Sequence, residues 1–322
     1  MNVKIDDLDK KILYELDFNA RMPLSIIAKK VHSSKQVVKY HLDNMITLGI
    51  IKGFYTDINA SKIGLEIYMV YFKFNKMSPD VEKKFIKYMC SQKHVGVNIS
   101  LNGKWDYTVD IWAESIMHFK KYYREIMGDY EKYVKTKQIV IETDFYYFKP
   151  KPILNKKSEE QITMTGDIEK NNLDKVDKEL LSLLARDARI SLIELSGKLS
   201  LSPNAIKKRI KEMEKNNIIL GYRVFINYQL LGMTHYRIFL HMENLDESAE
   251  KRVIVFLRYS KNCISITKTI GYCELEFRAI CENMDEFYNL MDELRTKFSD
   301  YIKDYELIIY SKMHDVWNYY PL

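Results

Sequence analysis

The sequence predicts an α+β protein built twice over. Each half should be a three-helix winged helix-turn-helix followed by a ferredoxin-like βαββαβ unit. Three observations carry this expectation. The 322-residue chain repeats itself: Gly53-Phe54, Asn59, Gly64, Gly103, Tyr133 and Ile141 return as Gly221-Tyr222, Asn227, Gly232, Gly271, Tyr301 and Ile309. The offset is constant, since 221 minus 53 and 271 minus 103 both give 168, and no gap is needed from about Asp6 to Ile141. A period this long means two copies of one whole unit rather than a solenoid of short repeats. Within each copy the apolar residues first follow a helical period and then change to the alternation of strands.

The first helix of copy one shows in Leu8, Ile12, Leu13 and Leu16, preceded by acidic residues suited to a helix start. Copy two repeats it with Val176, Leu180, Leu181 and Leu184. A second short helix is expected around Leu24 to Val31 and Leu192 to Leu199. A short turn follows, and then a third helix opening at Ser34 in one copy and at Ser202-Pro203 in the other. Serine caps a helix N-terminus well, and proline at the first helical position loses no hydrogen bond there. The buried face of the third helix reads Val38, Leu42, Met45 and Ile206, Ile210, Met213. It ends at Gly49 and the matching Asn217, the two residue types that best accept the left-handed conformation after a helix. A short ribbon or wing should then run through Ile58 and Ile226.

Beyond the wing, copy one predicts strand Ile67–Phe74, helix Pro79–Cys90, strands Val95–Leu101 and Trp105–Ala113, helix Ser115–Met127 and strand Tyr133–Tyr146. Copy two predicts the same order from His235 to Lys312. This is a split βαβ arrangement with helices on one face of the sheet, so the other face needs a cover. The domain boundaries expected are 1–60, 61–148, a connector 149–172, 173–228 and 229–322. The connector is rich in Lys, Glu, Asn, Ser and Thr and is expected to be a flexible polar tether.

Composition narrows the function classes. With 47% hydrophobic and 29% charged residues the chain is an ordinary folded protein, and no apolar run approaches the roughly 20 residues a bilayer needs. The N-terminus lacks the apolar stretch of a secretion signal, so residence in a prokaryotic cytoplasm, with no membrane partner, is expected. Four cysteines without a Cys-x-x-Cys pair suggest neither zinc nor redox chemistry. The net charge of +6 permits nucleic acid as a partner without demanding it.

From Leu195 to Tyr222 the chain reads LSGKLSLSPNAIKKRIKEMEKNNIILGY, and Ile27 to Tyr55 keeps the same framework more loosely. On these residues the chain resembles the leucine-responsive/asparagine-regulatory (Lrp/AsnC) family of prokaryotic transcription regulators, in tandem form. The resemblance implies a DNA reader followed by an effector-sensing βαββαβ domain. It also implies that sheets pack face to face in pairs, as an intramolecular pseudo-dimer or in a homo-oligomer.

The third helices carry suitable chemistry for double-stranded DNA. Opposite the apolar stripe lie Gln36, Lys39 and Tyr40 with Asp43 in copy one, next to Ser34 and Lys35 at the helix start. Copy two places Asn204, Lys207, Lys208 and Lys211 there, with Ser202 at the start and Arg209 alongside. Asn204 and Gln36 suit adenine, Arg209 suits guanine, and the lysines suit phosphates. An exposed lysine-rich face is common on helices of every kind; the caps, the turn length and the wing are what favour DNA. Copy two should supply more of the affinity, because Asp43 faces phosphate unfavourably.

The family resemblance further implies an effector, often an amino acid, near a Gly-x-x-Asp element. Gly103 and Asp106 match it, and Gly271 with Glu274 departs by one methylene. Asn102-Gly103 is also a strong hairpin signal, and a role in the turn alone is the competing reading of Gly103. No cofactor or metal is expected, and the chain is read as a non-enzyme, since no phosphate-binding loop, nucleophile elbow or His-Glu-x-x-His occurs. Two alternatives stay open: a tetrapyrrole-binding enzyme resembling sirohaem decarboxylase, and a DNA-independent small-molecule sensor. Against the first, the seven histidines show no metal spacing, although His235 and His241 share one strand face.

Overall fold

The structure is a computed structural model that describes residues 3–156, 158–165, 168, 169, 171–244 and 246–314. Copy one opens with α1 (Asp7–Leu16), α2 (Leu24–Lys30), α3 (Lys35–Thr47) and β1 (Ile51–Ile58). It continues as β2 (Glu66–Phe74), α4 (Pro79–Met89), β3 (Val95–Gly103), β4 (Tyr107–Ala113), α5 (Ile116–Met127) and β5 (Val134–Phe148). A short α6 (Lys151–Leu154) and β6 (Gln161–Thr165) lie in the connector. Copy two repeats the plan as α7 (Lys175–Arg186), α8 (Leu192–Leu199), α9 (Pro203–Lys215) and β7 (Ile219–Ile226). Its second part is β8 (Thr234–Met242), α10 (Glu247–Tyr259), β9 (Cys263–Ile270), β10 (Leu275–Cys281), α11 (Met284–Lys297) and β11 (Ile302–Met313).

Local chemistry sets these limits. Asp6 and Asp174 cap α1 and α7 in capping boxes closed by Asp9 and Asp177. Ser34 and Ser202 accept from the backbone N–H groups of Val37 and Ala205 at the starts of α3 and α9. Gly49 (φ 73°) and Asn217 (φ 54°) take the left-handed conformation after those helices.

Each βαββαβ unit forms a four-stranded antiparallel sheet, ordered β5-β2-β4-β3 in copy one and β11-β8-β10-β9 in copy two. The two sheets then join at both edges, β3 to β11 and β9 to β5. The joints are reciprocal: Ile309 pairs with Asn102, and Ile141 pairs with Ile270, each residue 168 positions from its counterpart. Reciprocal contacts of this kind define a twofold interface, here held inside one chain. Closure leaves no exposed edge among the eight joined strands.

Helices α4 and α5 cover one outer face, packing Phe85 and Phe119 with Val70, Phe72 and Val109 of the sheet. Copy two's outer layer packs Ile238, Leu240, Val253, Phe277 and Phe287. The inner faces cover one another through Met69, Tyr71, Leu101, Trp105, Phe239 and Ile308. The cover required by each open sheet face is therefore the other copy.

The two helix-turn-helix units also share one core, in which Ile12, Leu16 and Leu42 join Leu180, Leu184 and Ile210. The expected wing is not a hairpin within each copy. It is one antiparallel ribbon made of β1 and β7, with Phe54 opposite Val224 and Thr56 opposite Tyr222. Reciprocal bonds tie its flanks: Ala20 N–H donates to the Tyr222 carbonyl (2.8 Å) and Ala188 N–H to the Phe54 carbonyl (3.0 Å). Arg21 donates to the Ala188 and Ile190 carbonyls, and its counterpart Arg189 to the Ala20 carbonyl.

The connector departs from the flexible tether expected of its composition. Its β6 extends the edge of β5 beyond the end of β2, pairing Tyr146 with Thr163. Ile153 and Ile162 are buried, and Lys151 is fully buried with its ammonium donating to the Arg258 carbonyl at 2.6 Å. Burial lowers the Lys151 pKa to about 8. A few apolar anchors therefore order a segment whose average composition is polar.

Candidate nucleic-acid interface and interior chamber

Helices α3 and α9 bury only one stripe each, Val38, Leu42, Met45 and Ile206, Ile210, Met213. Their opposite faces stand in solvent. Ser34, Lys35, Gln36, Lys39 and Tyr40 are exposed in copy one; Ser202, Asn204, Lys207, Lys208 and Lys211 are exposed in copy two. Tyr40, a large aromatic, is 70% exposed, its ring edge-on to His41. Lys39 is ion-paired to Asp43 one turn on, so its charge is partly spent within copy one.

Arg209 requires a correction. It does not stand ready for a guanine: its guanidinium bonds Asp174 at 2.8 Å and Asp177 at 2.6 Å, the capping box of α7. The reason lies in its position on α9, turned from the outer face toward the first helix. Copy one makes the same strut with other residues, His41 bonding Asp9 at 2.8 Å beside Asp6. Asp6, Asp9 and His41 are close enough to suggest a cation cluster. The guanidinium at the equivalent place identifies an ion-pair strut instead.

The carboxylates of the Gly-x-x-Asp loops, read as effector-binding, are tied into the fold. Asp106 accepts from Lys73 Nζ (2.6 Å) and from the Phe74 N–H (2.8 Å). Glu274 accepts from the Met242 N–H (2.7 Å), the equivalent donor in copy two. These carboxylates hold the ends of β2 and β8. Gly103 (φ 132°) and Gly271 (φ 119°) adopt a backbone that side chains disfavour, and an added Cβ would lie 3.1 Å from the carbonyls of Leu307 and Ile139 respectively. The two loops meet at the molecular pseudo-axis, where Lys104 bonds Tyr272 (2.5 Å) and Glu306 (2.9 Å). Tyr71, Phe239, Trp105 and Tyr272 fill this end of the closed sheet with edge-packed rings.

At the other end, between the β1–β7 ribbon and the inner sheet faces, lies a chamber of about 210 Å³. Its ribbon side is pinned by Arg223, which bonds Asp17 twice (2.6 and 2.7 Å) and Asp57 once (3.2 Å). Its sheet side carries Asp110 and Glu142 from copy one and His235, Arg237 and Arg278 from copy two. Burial pushes the Asp110 carboxyl up to about 7 and the Glu142 carboxyl up to about 8. Burial, and then the charges of Arg278 and Arg237, hold His235 neutral well below its ordinary range. Sequence patterns for known motifs missed this group. The repeat itself contains the pointer: the constant offset sets Asp110 against Arg278 and Glu142 against Tyr310.

Paired helix-turn-helix units on one core, above two interlocked βαββαβ sheets, define a tandem winged-helix protein with an attached sensing-type domain. The family model described as winged helix-turn-helix DNA-binding matches residues 5–52 and again 173–219. An uncharacterized HTH-type transcriptional regulator of Pyrococcus furiosus is 29% identical over 135 residues, 41% of this chain and 84% of that one. The HTH-type transcriptional regulator LrpA of Pyrococcus horikoshii is 39% identical over 82 residues, 24% of this chain and 58% of its own length. Among solved structures, the siroheme decarboxylase NirDL covers 95% of this chain and 92% of its own, with a TM-score of 0.59 and 11% identity. That last likeness is one of fold alone. The winged helix-turn-helix DNA-binding family is thus matched once in each half, and the chain is similar to Lrp-type regulators in a tandem arrangement.

Proposed function

We propose that the protein is a sequence-specific DNA-binding transcriptional regulator, responsive to a small effector, that presents two unlike readers from one polypeptide. The observation that carries this reading is the pair of exposed α3 and α9 faces, locked to each other through one core and one ribbon. Copy two is the stronger reader, with Lys207, Lys208 and Lys211 exposed and without the acid that Asp43 sets beside Lys39. Lys207→Ala with Lys208→Ala should remove about two phosphate contacts and lower the salt dependence of binding by about two units of slope. Lys39→Ala should change both quantities less, read as mobility shifts over a salt series. An equal or larger effect from Lys39→Ala would reverse the ranking. Because the readers differ, the preferred site should be an imperfect inverted repeat with halves about 34 Å, or a multiple, apart. A footprint of equal protection on a symmetric site would contradict two unlike readers.

The second reading, a tetrapyrrole-binding enzyme, is kept by the fold likeness to NirDL across 95% of the chain. Residue chemistry favours it less: His241 is bonded to Glu306 and His94 is stacked on Tyr122. Titration with sirohaem, followed by absorbance, separates the two readings, since a tight stoichiometric complex would favour the enzyme. A prokaryotic cytoplasm is the compartment that fits the regulatory reading; among the described residues no helix is long and apolar enough to cross a membrane.

A further inference from the structure

Gene duplication lets a twofold interior become unlike on its two sides, and the chamber has become so. Positions related by the 168-residue offset carry opposite chemistry there: Asp110 matches Arg278, Glu142 matches Tyr310, and Met69 matches Arg237. In a pair of identical chains each of these groups would face its own copy, and an acid would oppose an acid across the axis. Here copy one supplies an acidic wall and copy two a basic one.

The polar groups of this interior divide into two sets. Arg237 is engaged, with Tyr71 as a hydrogen-bond partner and Glu276 at 3.4 Å. Arg223 is engaged by Asp17 and Asp57. Asp110 and Glu142, by contrast, have no hydrogen-bond or ion-pair partner among the described residues. Arg278 spends only its Nε, on Ser265 Oγ, and its guanidinium lies 5.3 and 5.0 Å from the rings of Phe145 and Tyr147. The Tyr310 hydroxyl, on a side chain 2% exposed, also lacks a partner. Acidic and basic groups left without partners around one chamber are unfavourable for folding alone and are typical of a site built for a ligand.

We infer that the chamber is a binding site for one small zwitterion, with Asp110 and Glu142 taking its ammonium end and Arg278 with the Tyr310 hydroxyl taking its acid end. Trp112, Met69 and Phe145 wall the space between. Gly96 makes room for Trp112, because a Cβ there would lie 2.9 Å from the indole Nε1. A volume of about 210 Å³ equals roughly seven waters at ~30 Å³ each, which suits a molecule of amino-acid size. The ligand would touch both the sheets and the ribbon that carries α3 and α9, so its occupancy would bear on the spacing of the readers. Binding stands independently of DNA; its use as a switch rests on the regulatory reading above.

The test uses the full chain without DNA. Free L-amino acids, and the matched amines and carboxylic acids lacking one end, are screened at millimolar concentration by thermal shift, and hits are measured by calorimetry. At least one amino acid should bind, and its amine and acid counterparts should bind at least tenfold more weakly. Binding should also release protons, seen as heats that depend on the buffer's ionisation enthalpy, because the acidic wall must ionise to hold an ammonium group. Asp110→Asn and Arg278→Gln should each weaken binding at least tenfold while far-UV circular dichroism stays native. Lys207→Ala with Lys208→Ala should bind the same ligand unchanged, which separates this site from the DNA reading. No binder in the panel, equal binding by a one-ended analogue, or full binding by folded Asp110→Asn would each overturn the proposal.

Discussion

Asp110 and Glu142 hold their protons to about pH 7 and 8 because the chamber denies their charged forms full solvation; Asp110 and Glu276 add to the cost of ionising Glu142, and Glu276 to that of ionising Asp110. In the unfolded chain the same groups ionise near their ordinary values of 3.8 and 4.5. Between those limits the folded state binds more protons than the unfolded state, so stability falls as pH rises from about 4 to about 8. Asp110→Asn with Glu142→Gln removes that burden. The double variant should match the parent near pH 4.5 and exceed it by about 1–3 kcal/mol at pH 8, discounted for water admitted to the chamber. Urea unfolding at the two pH values reads the difference, and a gap that does not widen with pH would show the carboxyls to be ionised in the fold. A stabilising change at a ligand site is a familiar trade between stability and function.

Among the elements, the ribbon shows how a connector breaks an otherwise twofold plan. Gly53 in β1 and Gly221 in β7 are equivalent by sequence, but their surroundings are not. A Cβ at Gly53 would meet nothing within 4 Å, whereas one at Gly221 would lie 2.7 Å from Ile162 Cδ1 and 3.1 Å from the Phe18 carbonyl. The flexible end of Ile162 can move, but the backbone oxygen cannot do so cheaply. Gly221→Ala should therefore cost about 1–3 kcal/mol, and Gly53→Ala about zero, in equilibrium unfolding. Equal costs would mean that neither the Phe18 carbonyl nor Ile162 of β6 crowds the ribbon at Gly221. Element limits themselves were largely legible beforehand: Ser34, Ser202, Gly49 and Asn217 mark the ends of α3 and α9 by local hydrogen bonding and backbone preference. The ordering of the connector was not legible, because its polar average hid the two isoleucines that anchor it, Ile153 and Ile162.

For the whole molecule, pairing within one chain changes how stability depends on concentration. The sheets meet through β3–β11 and β5–β9, and the readers through β1–β7, all tethered covalently. Separation of the copies is thus an intramolecular event. The urea midpoint should stay constant over a hundredfold range of protein concentration, where a pair of separate chains would gain about 2.7 kcal/mol from mass action. A midpoint that climbs with concentration would indicate that pairing between chains contributes to stability.

By itself the sequence determined that one unit occurs twice, which segments are helix and strand, and which helix faces bear cationic and amide groups. All of these depend on residues near one another along the chain, or on a register preserved by duplication. Only the tertiary structure decided that the copies pair within the chain, that Arg209, Asp106 and Glu274 are engaged in holding the fold, and that Asp110, Glu142 and Arg278 share one chamber. Those facts arise from side chains that meet only in the folded chain, some across one copy, as Arg209 meets Asp177, and some from opposite copies, as Asp110 and Arg278 do around the chamber. Local periodicity carries no record of which distant partner will satisfy a buried charge.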